Sequence, residues 1–151
     1  MPQSFSSVFL HLVFSTKGRH PFLADRDIRA KLYSYLGGIA VNRGCSPLLV
    51  GGVADHVHLL VNLGREETIS GLVKELKRSS TLWIKNQFPI LGMFAWQGGY
   101  AALGVDVAGL EGVRRYIANQ DRHHGTISFQ DELRALLSEH QMNWDERYVW
   151  D

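Results

Sequence analysis

The segment 54–61 has the sequence ADHVHLLV, and its alternating pattern predicts a β-strand over His56–Asn62. Side chains two residues apart in a strand point to the same face of the sheet. His56 and His58 should therefore share one face, and Val57, Leu59 and Val61 should point to the opposite face, toward the helices. This strand is the reference from which the rest of the fold is predicted.

Four strands and four helices are predicted along the chain. The strands are Phe5–Phe14, Ser46–Val53, His56–Asn62 and Trp96–Val105. Asp25 and Thr68 are predicted to cap two helices that end at about Asn42 and Gln87. Two C-terminal helices follow, one from Gly109 to about Gln120 and one from about Ser128 to His140. The order β-α-β-β-α-β is that of two split βαβ units, so we predict a ferredoxin-like α+β fold with an antiparallel sheet and extra C-terminal helices.

Composition places further limits on the chain. Its 151 residues, 17.0 kDa and 45% hydrophobic content are typical of one globular domain, here residues 1–151. The single cysteine, Cys45, excludes an internal disulfide framework and fits the reducing cytosol, so we expect a cytoplasmic protein. No apolar run approaches the ~20 residues that span a bilayer. A net charge of +1 excludes a polycation but permits a local basic face.

The two strand histidines are candidate metal ligands. Neighbouring imidazoles on one face of a sheet can chelate a divalent cation, because each offers a neutral nitrogen lone pair. Asp55 precedes the pair. Its carboxylate can hydrogen-bond a metal-bound histidine and so orient the ring without contacting the metal itself. The alternative is that His56 and His58 are half-buried strand residues without a metal, and their spacing alone leaves both interpretations open.

A tyrosine and a glutamine lie one helical turn apart in the third predicted helix. The segment 113–124 is VRRYIANQDRHH, and the spacing of Tyr116 and Gln120 places them on one face. Tyr116 also fits an ordinary core position of an amphipathic helix. His123 and His124 follow in the same segment, and the sequence leaves their roles open.

The histidine motif together with Tyr-x-x-x-Gln in this order resembles the HUH endonucleases, and specifically the single-tyrosine transposases of bacterial insertion sequences. Segments 11–21 (HLVFSTKGRHP), 94–105 and 116–133 also resemble that family. The resemblance implies one HUH endonuclease domain in which Tyr116 is the nucleophile. It also implies that His56, His58 and Gln120 bind Mg²⁺ or Mn²⁺.

The same resemblance implies a reaction and its partners. The enzyme would cleave and rejoin single-stranded DNA at insertion-sequence ends through a covalent 5′-phosphotyrosine. DNA hairpins at those ends would be the substrate. A homodimer would supply two tyrosines for two cuts, with the histidine pair of one subunit and the tyrosine helix of the other in each active site.

Basic residues in three places are candidates for DNA contact. One group lies in the loop after the first strand, one lies opposite the apolar face of the second helix, and one lies beside Tyr116. The candidates are Lys17, Arg19, Lys74, Lys77, Arg78, Arg114 and Arg115. Phosphate contacts of this type supply affinity rather than sequence recognition. The stripe on the second helix also fits a solvated helix face.

Two other functions fit the same residues. One is a nucleic-acid-binding module that keeps the fold but does not cleave DNA. The other is a hydrolase that uses a histidine-bound metal to activate water, which would release a free 5′-phosphate and tolerate loss of the tyrosine hydroxyl. Formation of a covalent DNA adduct that depends on Tyr116 separates the transposase from both.

Overall fold

The computed structural model of this chain describes residues 2–123, without the side chain of His123, and residues 127–151. The strands are β1 (Phe9–Ser15), β2 (Ser46–Gly52), β3 (His56–Asn62) and β4 (Ala101–Val105). The helices are α1 (Arg26–Asn42), α2 (Ile69–Gln87), α3 (Leu110–Ala118), α4 (Gln120–His123) and α5 (Phe129–Glu139). None of the helices in these residues is long and apolar enough to cross a membrane.

The four strands form one antiparallel sheet in the order β2-β3-β1-β4. In the first βαβ unit, β3 lies between β1 and β2. In the second unit, β1 lies between β3 and β4. This confirms the ferredoxin-like α+β prediction. The two central strands are β1 and β3, so β3 lies between two neighbours and holds its side chains in a defined register.

Side-chain caps determine where three helices begin, and two of these caps, Asp25 and Thr68, were predicted. The carboxylate of Asp25 accepts hydrogen bonds from two backbone N–H groups at the start of α1. Thr68 accepts one from Gly71 at the start of α2, and Ser128 accepts one from Asp131 at the start of α5. These oxygens satisfy backbone donors that the first helical turn leaves without a partner.

The sheet is covered on both faces. Helices α1 and α2 cover one face and enclose the larger core with Val57, Leu59 and Val61 of β3. Helix α5 and the C-terminal segment cover part of the other face. The smaller core there comprises Val13, Ala101, Leu103, Phe129, Leu133, Leu136 and Leu137, with Trp144, Val149 and Trp150 packed against it. Trp144 and Trp150 therefore pack on their own domain.

Two predicted strands are shorter than expected. Strand β1 begins at Phe9, which pairs with residues of both β3 and β4, whereas Phe5 is exposed. Strand β4 begins at Ala101, because Trp96 makes only one isolated bridge, to Thr16. The Trp96 indole is instead buried and donates a hydrogen bond to Ser80 at 2.9 Å.

Candidate active site

The two histidines of β3 lie on the sheet face opposite α1 and α2, as the alternation predicts. Both side chains are fully buried, with 0% of their surface exposed. The ring of His56 packs against Phe129 of α5, with centroids 4.5 Å apart. Burial under α5 removes the histidine pair from bulk water and places it beside the residues of the C-terminal helices.

Glu132 of α5 is the centre of the candidate site. Its side chain is 1% exposed. The Oε1 atom lies 3.1 Å from the Nε2 of His56 and 3.2 Å from the Nε2 of His58. A carboxylate is almost never fully buried unless charged or polar partners compensate for its lost hydration. The contacts of Oε1 with both imidazoles provide such compensation for the buried carboxylate.

The other Glu132 oxygen contacts the tyrosine helix and its extension. The hydroxyl of Tyr116 donates a hydrogen bond to Oε2. The Gln120 amide Nε2 donates to the same oxygen at 3.0 Å, and its Oε1 lies 3.2 Å from the Nε2 of His56. The structure thus brings together Tyr116, Gln120 and both histidines from a single chain, with Glu132 between them.

Each histidine of the pair has a further partner on its Nδ1 atom. Asp55 Oδ1 lies 2.7 Å from the Nδ1 of His56, in the position that the sequence predicts. His11 of β1 places its Nε2 2.7 Å from the Nδ1 of His58. Partners of this kind fix the orientation of a ligand imidazole. Both Nε2 atoms are therefore directed at the same point.

The pKa values of His11 and His56 are shifted in opposite directions. Burial lowers the pKa of His11 to about 3, and the adjacent His58 adds to this effect. A neutral His11 ring can donate or accept at Nε2, so it can serve either tautomer of His58. Burial also opposes the charged form of His56, but hydrogen bonds to Asp55 and Glu132 outweigh it and raise the pKa of His56.

The Tyr116 hydroxyl is held in its protonated form in this arrangement. Burial raises the pKa of Tyr116, and the hydrogen bond to Glu132 raises it further because the carboxylate disfavours a second negative charge nearby. Positive charge at the site would lower the pKa of Tyr116 again, because it favours the phenolate.

The donor set fits a divalent cation. Ligand atoms of His56, His58 and Glu132 all lie within 4.8 Å of one another. Two atoms bound to one ion at about 2.0–2.6 Å can be at most about 4–5 Å apart, so the spacing suits a single ion. The sequence predicted a neutral set with Gln120 as the third ligand. Glu132 adds a negative charge that the sequence analysis missed.

Open clefts flank the site on two sides. A cleft of about 590 Å³ is lined by Tyr116, His11, Gly112 and other residues of β4, α3 and α5. A second cleft of about 580 Å³ begins at Asp55 and continues along residues of α4 and α5. Tyr116 is half-buried rather than sealed in a core. The Tyr116 side chain therefore borders the first of these clefts.

The predicted DNA-binding residues have different environments. Lys77 is half-buried and its ammonium donates to the backbone carbonyls of Gln97 and Gly99 at 2.8 and 2.7 Å. Burial lowers the pKa of Lys77 to about 8. Arg78 pairs with Glu75 on the same helix. Lys77 thus holds the segment before β4, whereas the Arg78 pair lies on the surface of α2.

The remaining candidates lie at the surface, Lys74 on α2 across the sheet from the histidine pair. Lys17 and Lys74 are exposed, and so are Arg114 and Arg115 on α3 beside Tyr116. Arg19 is partly covered by the C-terminal segment, where its guanidinium donates to the carbonyl of Trp150 at 3.4 Å. His124 and the side chain of His123 lie outside the described residues.

Helix α3 rests on β2 through a close contact at Gly51. A Cβ atom at this position would lie 2.8 Å from Ile117 Cγ2 and 3.1 Å from the Ile117 carbonyl oxygen. Only glycine therefore allows α3 to approach this closely. Ile117 follows Tyr116 in the chain, so the contact sets the height of the tyrosine above the sheet.

The Gly51→Ala variant should have a lower free energy of unfolding and a lower reaction rate than the wild-type chain. Overpacking of this kind costs about 1–3 kcal/mol of unfolding free energy. If Tyr116 is the nucleophile that the family resemblance implies, displacement of α3 by a few tenths of an ångström should also slow its reaction by about 10-fold, since misplacement by 1 Å can cost 10²-fold. Denaturant unfolding and single-turnover cleavage measure the two effects.

Gly38→Ala is the matched control, because a Cβ there meets nothing within 4 Å. Gly38 lies inside α1, so alanine should raise stability by about 0.5–1 kcal/mol. Equal changes in stability and rate for the two substitutions would contradict the proposed role of the close contact between Gly51 and Ile117.

Comparison with known proteins identifies related sequences. Residues 4–120 match the family described as IS200-like transposases, a range that includes the histidine pair, Tyr116 and Gln120 and ends before α5. The TnpA transposase of ISDra2 from Deinococcus radiodurans is 29% identical over 115 residues, which cover 73% of this chain and 81% of that protein.

Two solved structures have a similar fold. One is a crystal structure of a Deinococcus radiodurans R1 protein assigned as a transposase. Its TM-score is 0.64 at 29% identity, with 80% of this chain and 95% of that chain covered. The other is a REP-associated tyrosine transposase bound to a REP hairpin. Its TM-score is 0.60 at 13% identity, with 84% and 74% covered.

Proposed function

Because this chain belongs to the family of IS200-like transposases, we propose that it cleaves and rejoins single-stranded DNA at insertion-sequence ends with Tyr116 as the nucleophile. The observation that carries this proposal is the contact of one buried carboxylate with both the Tyr116 hydroxyl and the histidine pair. A core tyrosine also bonds its hydroxyl to a buried acceptor, but here the acceptor contacts the histidine pair as well.

The proposed reaction is a transesterification. The phenolic oxygen of Tyr116 forms a bond to phosphorus, and the bond between phosphorus and the 3′-oxygen breaks. The phenol loses one proton and the leaving 3′-oxygen gains one, so the product is a 5′-phosphotyrosine and a free 3′-hydroxyl. Because the ester bond is conserved, a 3′-hydroxyl can reverse the step on another strand without ATP.

The cation in this proposal is Mg²⁺ or Mn²⁺, held by His56 and His58 with oxygen atoms of Glu132 and Gln120. Oxygen donors suit both ions, and imidazole favours Mn²⁺. A bound divalent cation stabilises negative charge on the phosphate as the bond to the 3′-oxygen breaks. Asp55 and His11 hold the two imidazoles in place for this role.

The proposed substrate is a DNA hairpin with an adjoining single strand, and the proposed assembly is a homodimer. A structural relative is bound to a REP hairpin, and the exposed basic residues near Tyr116 suit contact with the phosphates of such a DNA. Excision of an element needs two cuts, and each chain offers one Tyr116. The within-chain contacts support two sites that are each built by one subunit.

Arg114 and Arg115 should contribute phosphate contacts. Replacement of both by glutamine should reduce the slope of log affinity against log salt by about 1.4, since each contact to a single strand contributes about 0.7. Fluorescence anisotropy over a range of salt concentrations measures this slope. The matched control is Lys31→Gln with Arg65→Gln, two exposed basic residues away from α3. A slope that falls equally in both double variants would contradict the assigned contacts.

The proposed function is tested by incubation with single-stranded and duplex DNA that carry the element ends, in Mg²⁺ or Mn²⁺. A denaturing gel should show a protein–DNA adduct with the single strand. Release of a free 5′-phosphate without adduct would favour the hydrolase, and binding without cleavage would favour the binding module.

A further inference from the structure

Glu132 comes from a part of the chain that the family match does not include. That match ends at residue 120, and Glu132 lies on α5. Its carboxylate is nevertheless buried at the centre of the site, where the loss of hydration is costly unless partners compensate. Its position therefore calls for a role beyond helix formation.

The two oxygens of this carboxylate have separate partners. Oε1 is within 3.2 Å of the Nε2 atoms of both His56 and His58. Oε2 accepts hydrogen bonds from the Tyr116 hydroxyl and from the Gln120 amide. One side of the carboxylate thus meets the cation-binding groups, and the other side meets the nucleophile.

Core packing holds the carboxylate in this position. Phe129, Leu133 and Leu136 of the same helix are buried against β1 and β4. Glu132 follows Phe129 by three residues and precedes Leu136 by four, so it lies on the packed face of α5. A side chain anchored by a buried helix face can set a distance that a surface side chain cannot.

We propose that Glu132 is a positioning residue that joins the two halves of the active site. Oε1 binds the divalent cation together with His56 and His58, and Oε2 holds the Tyr116 hydroxyl, so that α5 sets the distance between the nucleophile and the cation. This inference rests on the proposed function, because it assigns Tyr116 and the cation to the same reaction.

The test compares Glu132→Gln with Asp131→Asn. Each substitution removes one negative charge from α5, but Asp131 is exposed and pairs with Arg134. Mn²⁺ affinity is measured by electron paramagnetic resonance on the purified chain without DNA. The rate of adduct formation is then measured in a single turnover at saturating Mn²⁺.

Glu132→Gln should weaken Mn²⁺ binding at least about 10-fold, the lower end of what loss of even an outer partner of a metal ligand costs. It should also slow adduct formation at saturating Mn²⁺ by at least about 10-fold, because a neutral amide replaces the carboxylate that holds the Tyr116 hydroxyl in position. Asp131→Asn should change neither quantity. Unchanged Mn²⁺ affinity would overturn the inference, and so would a wild-type rate at saturating Mn²⁺.

A second variant guards against a folding defect. Glu132→Asp keeps the charge but shortens the side chain, so it should retain Mn²⁺ affinity better than Glu132→Gln while Tyr116 loses its contact. Tyrosine ¹³Cζ NMR, with the signal assigned through Tyr116→Phe, should show a shifted Tyr116 resonance in both Glu132 variants. An unshifted Tyr116 resonance would contradict the proposed contact between the Tyr116 hydroxyl and Glu132. If the wild-type chain forms no adduct, the proposed function fails, whereas the Mn²⁺ and NMR measurements still test Glu132.

Discussion

A Tyr116→Phe variant is expected to form no covalent adduct with single-stranded DNA while it still binds that DNA. Phenylalanine removes only the hydroxyl oxygen that forms the bond to phosphorus. Cleavage should fall by at least about 10³-fold, because removal of a nucleophile from an enzyme leaves little residual activity. Denaturing gels measure the adduct, and anisotropy measures the binding.

The matched control is Tyr148→Phe. Tyr148 is 64% exposed in the C-terminal segment, so loss of its hydroxyl should leave adduct formation unchanged. Glu132 keeps the hydrogen bond from Gln120 in the Tyr116 variant, and the fold should therefore persist. Wild-type cleavage by Tyr116→Phe would contradict the role of this residue and favour water as the nucleophile.

A His58→Ala variant is expected to lose both cation binding and cleavage. It removes one imidazole from the set of three ligands that can hold one ion. Mn²⁺ affinity should fall by more than about 100-fold, because loss of a partner outside the ligand set alone costs 10–100-fold. Isothermal titration calorimetry with Mn²⁺ measures the affinity, and single-turnover cleavage measures the rate. Unchanged affinity would show that the ion binds elsewhere.

A mixture of His58→Ala and Tyr116→Phe chains is a further control on the same assay. We expect no recovery of cleavage, because Tyr116 and His58 of one chain lie together, with ring centroids 5.7 Å apart. Recovery would indicate that each active site combines the histidine pair of one subunit with the tyrosine helix of the other.

The sequence predicted the histidine face and the helix starts correctly because both depend on local periodicity. The two-residue period of β3 places His56 and His58 on the face opposite Val57, Leu59 and Val61. Capping depends on contacts within a few residues, so Asp25 and Thr68 were recognisable. The start of β4 depends on pairing with a distant strand, and it was placed too early.

Glu132 and His11 were missed because their roles depend on contacts between distant parts of the chain. Glu132 meets His58 across 74 residues, and His11 meets His58 across 47. A signal was nevertheless present for Glu132. It shares the apolar face of α5 with Phe129 and Leu133, and a charged residue on such a face is rarely buried without partners.

The basic residues show a different limit of sequence analysis. Helical spacing placed Lys77 on a basic stripe, but its ammonium holds the glycine-rich segment before β4 through two backbone carbonyls. Spacing identifies which side chains share a face of a helix. It does not show which groups elsewhere in the chain those side chains will contact. Lys77 therefore has a structural role in addition to any contact with DNA.

The central claim is that the Tyr116 oxygen becomes bonded to DNA at a cation held by the histidine pair. Trypsin cleavage after Arg115 and Arg122 yields the peptide YIANQDR, in which Tyr116 is the only hydroxyl-bearing residue. After reaction with Mn²⁺ and nuclease trimming, mass spectrometry should find a nucleotide phosphate on this peptide in the wild-type chain and not in His58→Ala. A phosphonucleotide on another peptide, or cleaved DNA with no modified peptide, would contradict the account.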